Sequence, residues 1–220
     1  MEILTDITKL SDRCDEIDIK SEKAIKQEII TNLKKEVRNR NLNGLSAPAL
    51  GYNKRIFVLN YKDLEPKTYI NPIITESEGL QLFEETCTSI PNKTYLVPRS
   101  PKIKVMYQDP MGRIQSRELL GKAASQYQHE MAHLDGILIS DIGLEIDDDF
   151  RNASEDEKAD VIKWYLDSLD IGIKELDKSL QEDPESKKIL DAIDFITSVQ
   201  KGETEIEFVK KETDIANKND

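Results

Sequence analysis

Residues that usually carry chemistry are scarce in this chain: 220 residues hold two histidines, two cysteines and one tryptophan. The cysteines, Cys14 and Cys87, cannot build a disulfide framework, which points to a reducing setting. No apolar run approaches the roughly 20 residues that a membrane-crossing helix needs, so no membrane role is expected. The opening Met1-Glu2-Ile3-Leu4-Thr5-Asp6 carries acids where a signal or transit peptide carries bases, and a cytoplasmic location is expected. Excess basic charge is also missing. The net charge is −12. Residues 142–220 carry all of it, with 23 acidic and 11 basic side chains against 20 and 20 in residues 1–141. A tail of that sign does not bind a nucleic-acid backbone, so no direct nucleic-acid contact is expected. Its charge reads as the solvated side of helices, and it names no partner.

What is present is arranged in a pattern. Both histidines fall in Gln128-His129-Glu130-Met131-Ala132-His133. Imidazoles at i and i+4 leave one face of a helix together and can hold one metal ion. The glutamate beside the first can take a proton from water that the ion activates. A catalytic site of this kind needs a third protein ligand, which in this chain must be Cys, Asp or Glu.

Hydrophobic spacing outlines the elements. A helix is predicted from Ser21, as its cap, to Arg40, with Ala24, Ile25, Ile29, Leu33 and Val37 on one side. Strands are predicted over Arg55–Tyr61, Thr68–Ile74, Thr94–Val97, Lys102–Gln108 and Arg113–Glu118, with a turn at 109–112. The histidine helix spans Lys122–Leu134, and Gly136 ends it. Residues 1–145 form one domain and residues 146–220 an acidic helical extension. There Ser154-Glu155-Asp156-Glu157 reads as a capping box opening a helix to Leu169. Its stripe of Val161, Trp164, Tyr165 and Leu169 is expected to pack. A further helix starts at Asp183-Pro184 and carries Ile189, Ile193, Ile196 and Val199, before an apolar segment from Ile206 to Val209.

Three segments together resemble the peptide deformylases. Leu42-Asn43-Gly44-Leu45-Ser46-Ala47-Pro48-Ala49 is similar to that family's Gly-hydrophobic-Gly-Leu-Ala-Ala-Pro-Gln loop. Glu85-Thr86-Cys87-Thr88-Ser89 is similar to its Glu-Gly-Cys-Leu-Ser. Gln128-His129-Glu130-Met131-Ala132-His133-Leu134-Asp135-Gly136 is similar to its Gln-His-Glu-x-Asp-His-Leu-x-Gly. The resemblance covers residues 5 to 141 and leaves the tail without a counterpart. It implies an α+β fold, with antiparallel strands around the histidine helix. It also implies removal of formyl from the N-terminal methionine of nascent polypeptides, so the expected partner is a formyl-methionyl chain. Cys87, His129 and His133 would hold one divalent ion, Fe²⁺ by the family's habit, with Zn²⁺, Ni²⁺ or Co²⁺ as substitutes. Glu130 would be the general base and then the acid. Gly44, Leu45 and Thr88 would line the substrate, with the Thr88 backbone N–H among the oxyanion donors.

The departures matter equally. The loop glutamine, an oxyanion donor, is Ala49; the aspartate within the histidine motif is Ala132; the glycine before the cysteine is Thr86; the first loop glycine is Leu42. Two functions from different classes follow: a deformylase, slowed or altered, and a relative that keeps the metal but acts as a binding module. A zincin-type protease with Glu155 or Glu157 as the downstream ligand is a third reading, which the cysteine segment disfavours.

Overall fold

The computed structural model describes residues 1–60, 65–180 and 206–208. In chain order these build α1 (Ile7–Leu10), α2 (Lys23–Arg40), β1 (Gly44–Ser46), a 3₁₀ turn (Ala47–Leu50) and β2 (Ile56–Leu59). Then come β3 (Lys67–Glu78), β4 (Leu80–Cys87), β5 (Ile90–Arg99), β6 (Lys102–Gln108) and β7 (Ile114–Leu120). The chain continues with α3 (Lys122–Leu134), α4 (Ile139–Ile142), β8 (Leu144–Glu145), α5 (Asp148–Asn152), α6 (Glu155–Leu180) and β9 (Ile206–Phe208). The architecture is α+β. One sheet has the order β1-β2-β3-β6-β7 with antiparallel neighbours, and a second runs β8-β5-β4-β9, with β9 parallel to β4 over Leu80–Leu82.

α3 lies between the sheets because it has two usable faces. Ala124, Tyr127 and Leu134 recur at helical spacing and pack on Phe57, Tyr69, Tyr107 and Leu119 of the first sheet. Phe57, Tyr69 and Tyr127 meet ring to ring, with centroids 5.0–5.2 Å apart. The opposite face carries Ser125, His129 and His133 toward the second sheet, while Glu130 lies against β1. α2 covers the far side through Ile29, Ile30, Leu33 and Val37.

Several element ends differ from the sequence expectation. α2 begins at Lys23 with no side-chain cap, because the Ser21 hydroxyl instead donates to Asp18 Oδ2 at 2.7 Å. It ends at Asn41 in the left-handed region (φ 51°), whose N–H reaches Arg38 and Val37 carbonyls. β4 was not predicted. Leu80–Phe83 are buried on both faces, and the acids Glu84 and Glu85 that follow break the apolar pattern by which a strand is read.

The capping box at Ser154 forms: the Glu157 N–H donates to Ser154 Oγ, and the Ser154 N–H to Glu157 Oε2 at 2.8 Å. α6 then runs to Leu180, past the expected end at Leu169. Its buried stripe is Ile162, Tyr165, Leu166 and Leu169, packed against Leu82, Leu96, Leu144 and Phe150. Val161 and Trp164 face outward, so the expected stripe is one position out of phase. The helix expected from Asp183 lies outside the described residues. No helix among the described residues is long and apolar enough to cross a membrane.

Candidate active site

Cys87, His129 and His133 converge although 42 or more residues separate the cysteine from the histidines. Their ligand atoms all lie within 4.8 Å of one another, and Cys87 Sγ is 3.2 Å from His133 Nε2. The convergence follows from two periodicities. His129 and His133 share a helix face. On β4, Cys87 and Glu85 sit two apart and so point to the same side, toward α3.

Glu85 orients the first imidazole. Its Oε2 lies 2.9 Å from His129 Nδ1, leaving Nε2 for the cysteine side. Glu85 is itself fastened by Arg99, at 3.0 and 3.1 Å, and by the Ser125 hydroxyl at 2.8 Å. Burial alone would raise the Glu85 pKa, but Arg99 and His129 outweigh it and hold the group at about 2. Burial likewise works against charge on His129, yet the facing Cys87 and Glu85 raise it to about 10. Burial, helped by His129 and Arg99, lowers His133 to about 3. His133 Nδ1 is buried with no hydrogen-bond partner, and no carboxylate fixes that ring.

Glu130 belongs to the same face but not to the donor set. It is 7 % exposed, and burial raises its carboxyl to about 7, against the pull of His129 and Ser46. The Ser46 hydroxyl faces this carboxyl closely enough to lower its pKa, yet falls short of hydrogen-bond geometry and has no partner. Gly44 explains how Glu130 fits. A Cβ on Gly44 would stand 2.6 Å from Glu130 Oε1, so the glycine leaves room for the carboxyl in this position.

These groups line one cleft of about 450 Å³. Gly44, Leu45, Ser46 and Ala49 form one wall, and Phe83, Glu85, Thr86, Cys87 and Thr88 another. Both walls end in strand edges: β1 is the outermost strand of its sheet, and Phe83–Cys87 lie beyond the stretch that β9 covers. Sequence reasoning missed Arg99 and Ser125 as part of this site. The one available signal was that Glu85 lies two residues before Cys87, which places a carboxylate on the ligand's side of the strand.

An α+β fold that buries a Cys-His-His donor set beside a glutamate whose pKa is raised defines a class of protein suited to holding one divalent ion. Soft thiolate and imidazole donors suit Fe²⁺ and Zn²⁺. With Nδ1 of His129 held by Glu85, Nε2 is the nitrogen turned toward Cys87, the one a metal would take. The family model for polypeptide deformylases matches residues 2–145, and the chain belongs to that family. It is 39% identical over 119 residues to the peptide deformylase of Thermodesulfovibrio yellowstonii, covering 52% of this chain and 72% of that one. To the enzyme of Dictyoglomus thermophilum it is 41% identical over 102 residues, 46% of this chain and 66% of that relative. Among solved structures, the peptide deformylase of Thermotoga maritima superimposes with a TM-score of 0.58 at 33% identity, covering 64% of this chain and 95% of the other. The Synechococcus elongatus enzyme in complex with actinonin gives 0.59 at 30% identity, covering 65% and 78%.

Proposed function

We propose that the protein is a hydrolase that removes the formyl group from formyl-methionine at the N-terminus of nascent polypeptides, at a rate reduced by its departures from the family. The observation that carries the reading is the meeting of Cys87, His129 and His133 within 4.8 Å, beside the buried Glu130. Those three residues would hold one divalent ion, Fe²⁺ by resemblance. When bound, the ion supplies Lewis acidity, polarising a carbonyl and acidifying water.

The chain's own groups supply the rest. An extended peptide adds as a strand beside the free edges of β1 and Phe83–Cys87, with backbone hydrogen bonds holding it. Its formyl carbon then sits by Glu130. Glu130 accepts a proton from the attacking water and delivers one to the leaving amine as the C–N bond breaks, releasing formate and a free N-terminus. A carboxyl raised to about 7 is matched to both transfers near neutral pH. The Thr88 backbone N–H, next to Cys87, would donate to the developing oxyanion.

Formate release from a formyl-methionyl peptide tests this, using protein prepared anaerobically with Fe²⁺, because a thiolate-held ferrous site is open to oxidation. The parent is expected to turn over, and Glu130→Gln to keep its metal and lose activity by roughly 10²-fold or more. Persistence of the parent rate in that variant would remove Glu130 as base. A second reading, a metal-retaining binding module, is favoured by Ala49 and by the unpartnered His133 Nδ1. It stands if the metal-loaded parent releases no formate.

A further inference from the structure

The two carboxyls of the cleft are held very differently. Glu85 is fixed by Arg99, by His129 and by the Ser125 hydroxyl. Glu130, 7 % exposed, has no such set of partners, and among the described residues Ser46 is the one side chain in reach to donate to it. Gly44 and Ser46 lie two apart on β1 and so face the same side. Gly44 leaves the space that Glu130 Oε1 fills, and Ser46 brings a hydroxyl to the same carboxyl. That hydroxyl is fully buried and has no hydrogen-bond partner among the described residues. A buried hydroxyl without a partner weakens a fold, so its presence asks for a reason other than folding. The loop of the resembled family has alanine at this place. The hydroxyl is thus an addition in this chain, in the same loop that lacks the glutamine amide.

We propose that Ser46 is a positioning residue for the hydrolysis: its hydroxyl donates to the ionised Glu130 carboxylate and keeps the other carboxylate oxygen turned toward the attacking water. The inference rests on the formyl-methionine hydrolase reading and adds to it a residue that acts through the base. A base must be ionised to accept a proton, and an ionised carboxylate this buried needs a donor. A serine hydroxyl can rotate to meet it. Once Glu130 has taken the proton from water, the same hydroxyl can turn and accept from the carboxylic acid, which then protonates the leaving amine. Ser46 keeps its own proton throughout. Alanine at this position offers neither donor nor acceptor, and the carboxyl is left to pack against Gly44 without a fixed orientation.

Ser46→Ala in the Fe²⁺-loaded full chain tests it, with formate release from a formyl-methionyl peptide as the assay. The variant is expected to lose about 10-fold in kcat, the order of one hydrogen bond to a charged group, with KM and metal content unchanged. Thermal melts of the chelated proteins should show Tm unchanged or raised, because the hydroxyl removed has no partner to lose. Unchanged kcat overturns the proposal. A fall in kcat accompanied by a fall in Tm overturns it as well, since Ser46 would then act through the fold. Infrared difference spectra of the metal-loaded proteins, Ser46→Ala against parent, read the contact without turnover. A shifted carboxylate band is expected, and it should vanish when both chains also carry Glu130→Gln. No shift, or a shift that survives Glu130→Gln, overturns the proposal. If the parent releases no formate, the hydrolytic reading fails separately, and the infrared comparison still decides whether Ser46 holds the Glu130 carboxylate.

Discussion

Single residues distinguish this site from the pattern the family resemblance gives. Ala49 is 2 % exposed and lines the cleft where the family resemblance places a glutamine, so an amide donor is missing from the wall. Ala49→Gln is expected to raise kcat on formyl-methionyl peptides by ~10-fold with little change in KM, because the amide would bind the developing oxyanion better than the planar formyl group. Steady-state kinetics at constant metal content measures this. No gain would point to a donor already present. Two hydroxyls line the cleft nearby: Ser46, which is fully buried, and Thr88, which is exposed. Glu85 is the other decisive residue. Glu85→Gln leaves Arg99, 6 % exposed, without its charge partner, and is expected to lower stability by about 3–5 kcal/mol. The folded pKa of Glu85 lies below its ordinary value, so its contribution is present above about 4.5 and is lost as pH falls toward 2. Urea melts of chelator-treated parent and variant should therefore differ widely at pH 7 and much less near pH 3. An equal gap at both values would show that the carboxylate is not the stabilising form.

At the scale of elements, the site depends on α3 being held by both neighbours and on where its helix stops. Gly136, just after α3, has φ 73°, and a Cβ there would run into the backbone carbonyl of Ser11. The end of the ligand helix is thereby tied to the N-terminal segment, and the Cys14 N–H adds a hydrogen bond to the Leu134 carbonyl at 2.8 Å. α6 closes the outer face of the second sheet with a stripe that the structure rotates by one position. This makes a contrast that separates the two stripes. Ile162→Ala is expected to lower stability by about 2–4 kcal/mol, as for a buried large-to-small change. Trp164→Ala, 67 % exposed, should stay within about 0.5 kcal/mol despite removing the larger side chain. Thermal melts of the two variants decide it, and a large loss from Trp164→Ala would mean that this face is covered in solution.

For the whole molecule, the metal is expected to act as a fold-stabilising ligand, since the three donors come from two separate elements that only the native state brings together. An ion that binds only the native state at 1,000 times its Kd adds about 4 kcal/mol, which for a chain of this size raises Tm by roughly 8–16 °C. Scanning calorimetry before and after chelation measures the shift. An unchanged Tm, with metal shown to leave, would mean that the donor set does not link the sheet to the helix energetically. The charge asymmetry also operates at this scale. The excess of acid lies in residues 142–220, where it bears on solubility and association.

The sequence alone determined whatever depends on local spacing or on the chemistry of one residue type. The His129–His133 pair, the place of Glu130 beside it, the span of α3, the span of β6 and the Ser154 capping box were legible because each is encoded within a few residues. The three signature segments made the family and the α+β class legible as well. Other features were decided only by the tertiary structure, because they depend on what arrives from distant chain. β4 was hidden because Glu85 is buried in an ion pair that no local pattern reveals, and Arg99 and Ser125 joined the site through the same contact. The phase of the α6 stripe was set by where Leu82, Leu96 and Phe150 lie. The packing of the Glu130 carboxyl against Gly44 likewise exists only once β1 and α3 have met. The perturbed pKa values of Glu130 and the two histidines arose from burial and through-space charge, which exist only once the helix and the strand have met.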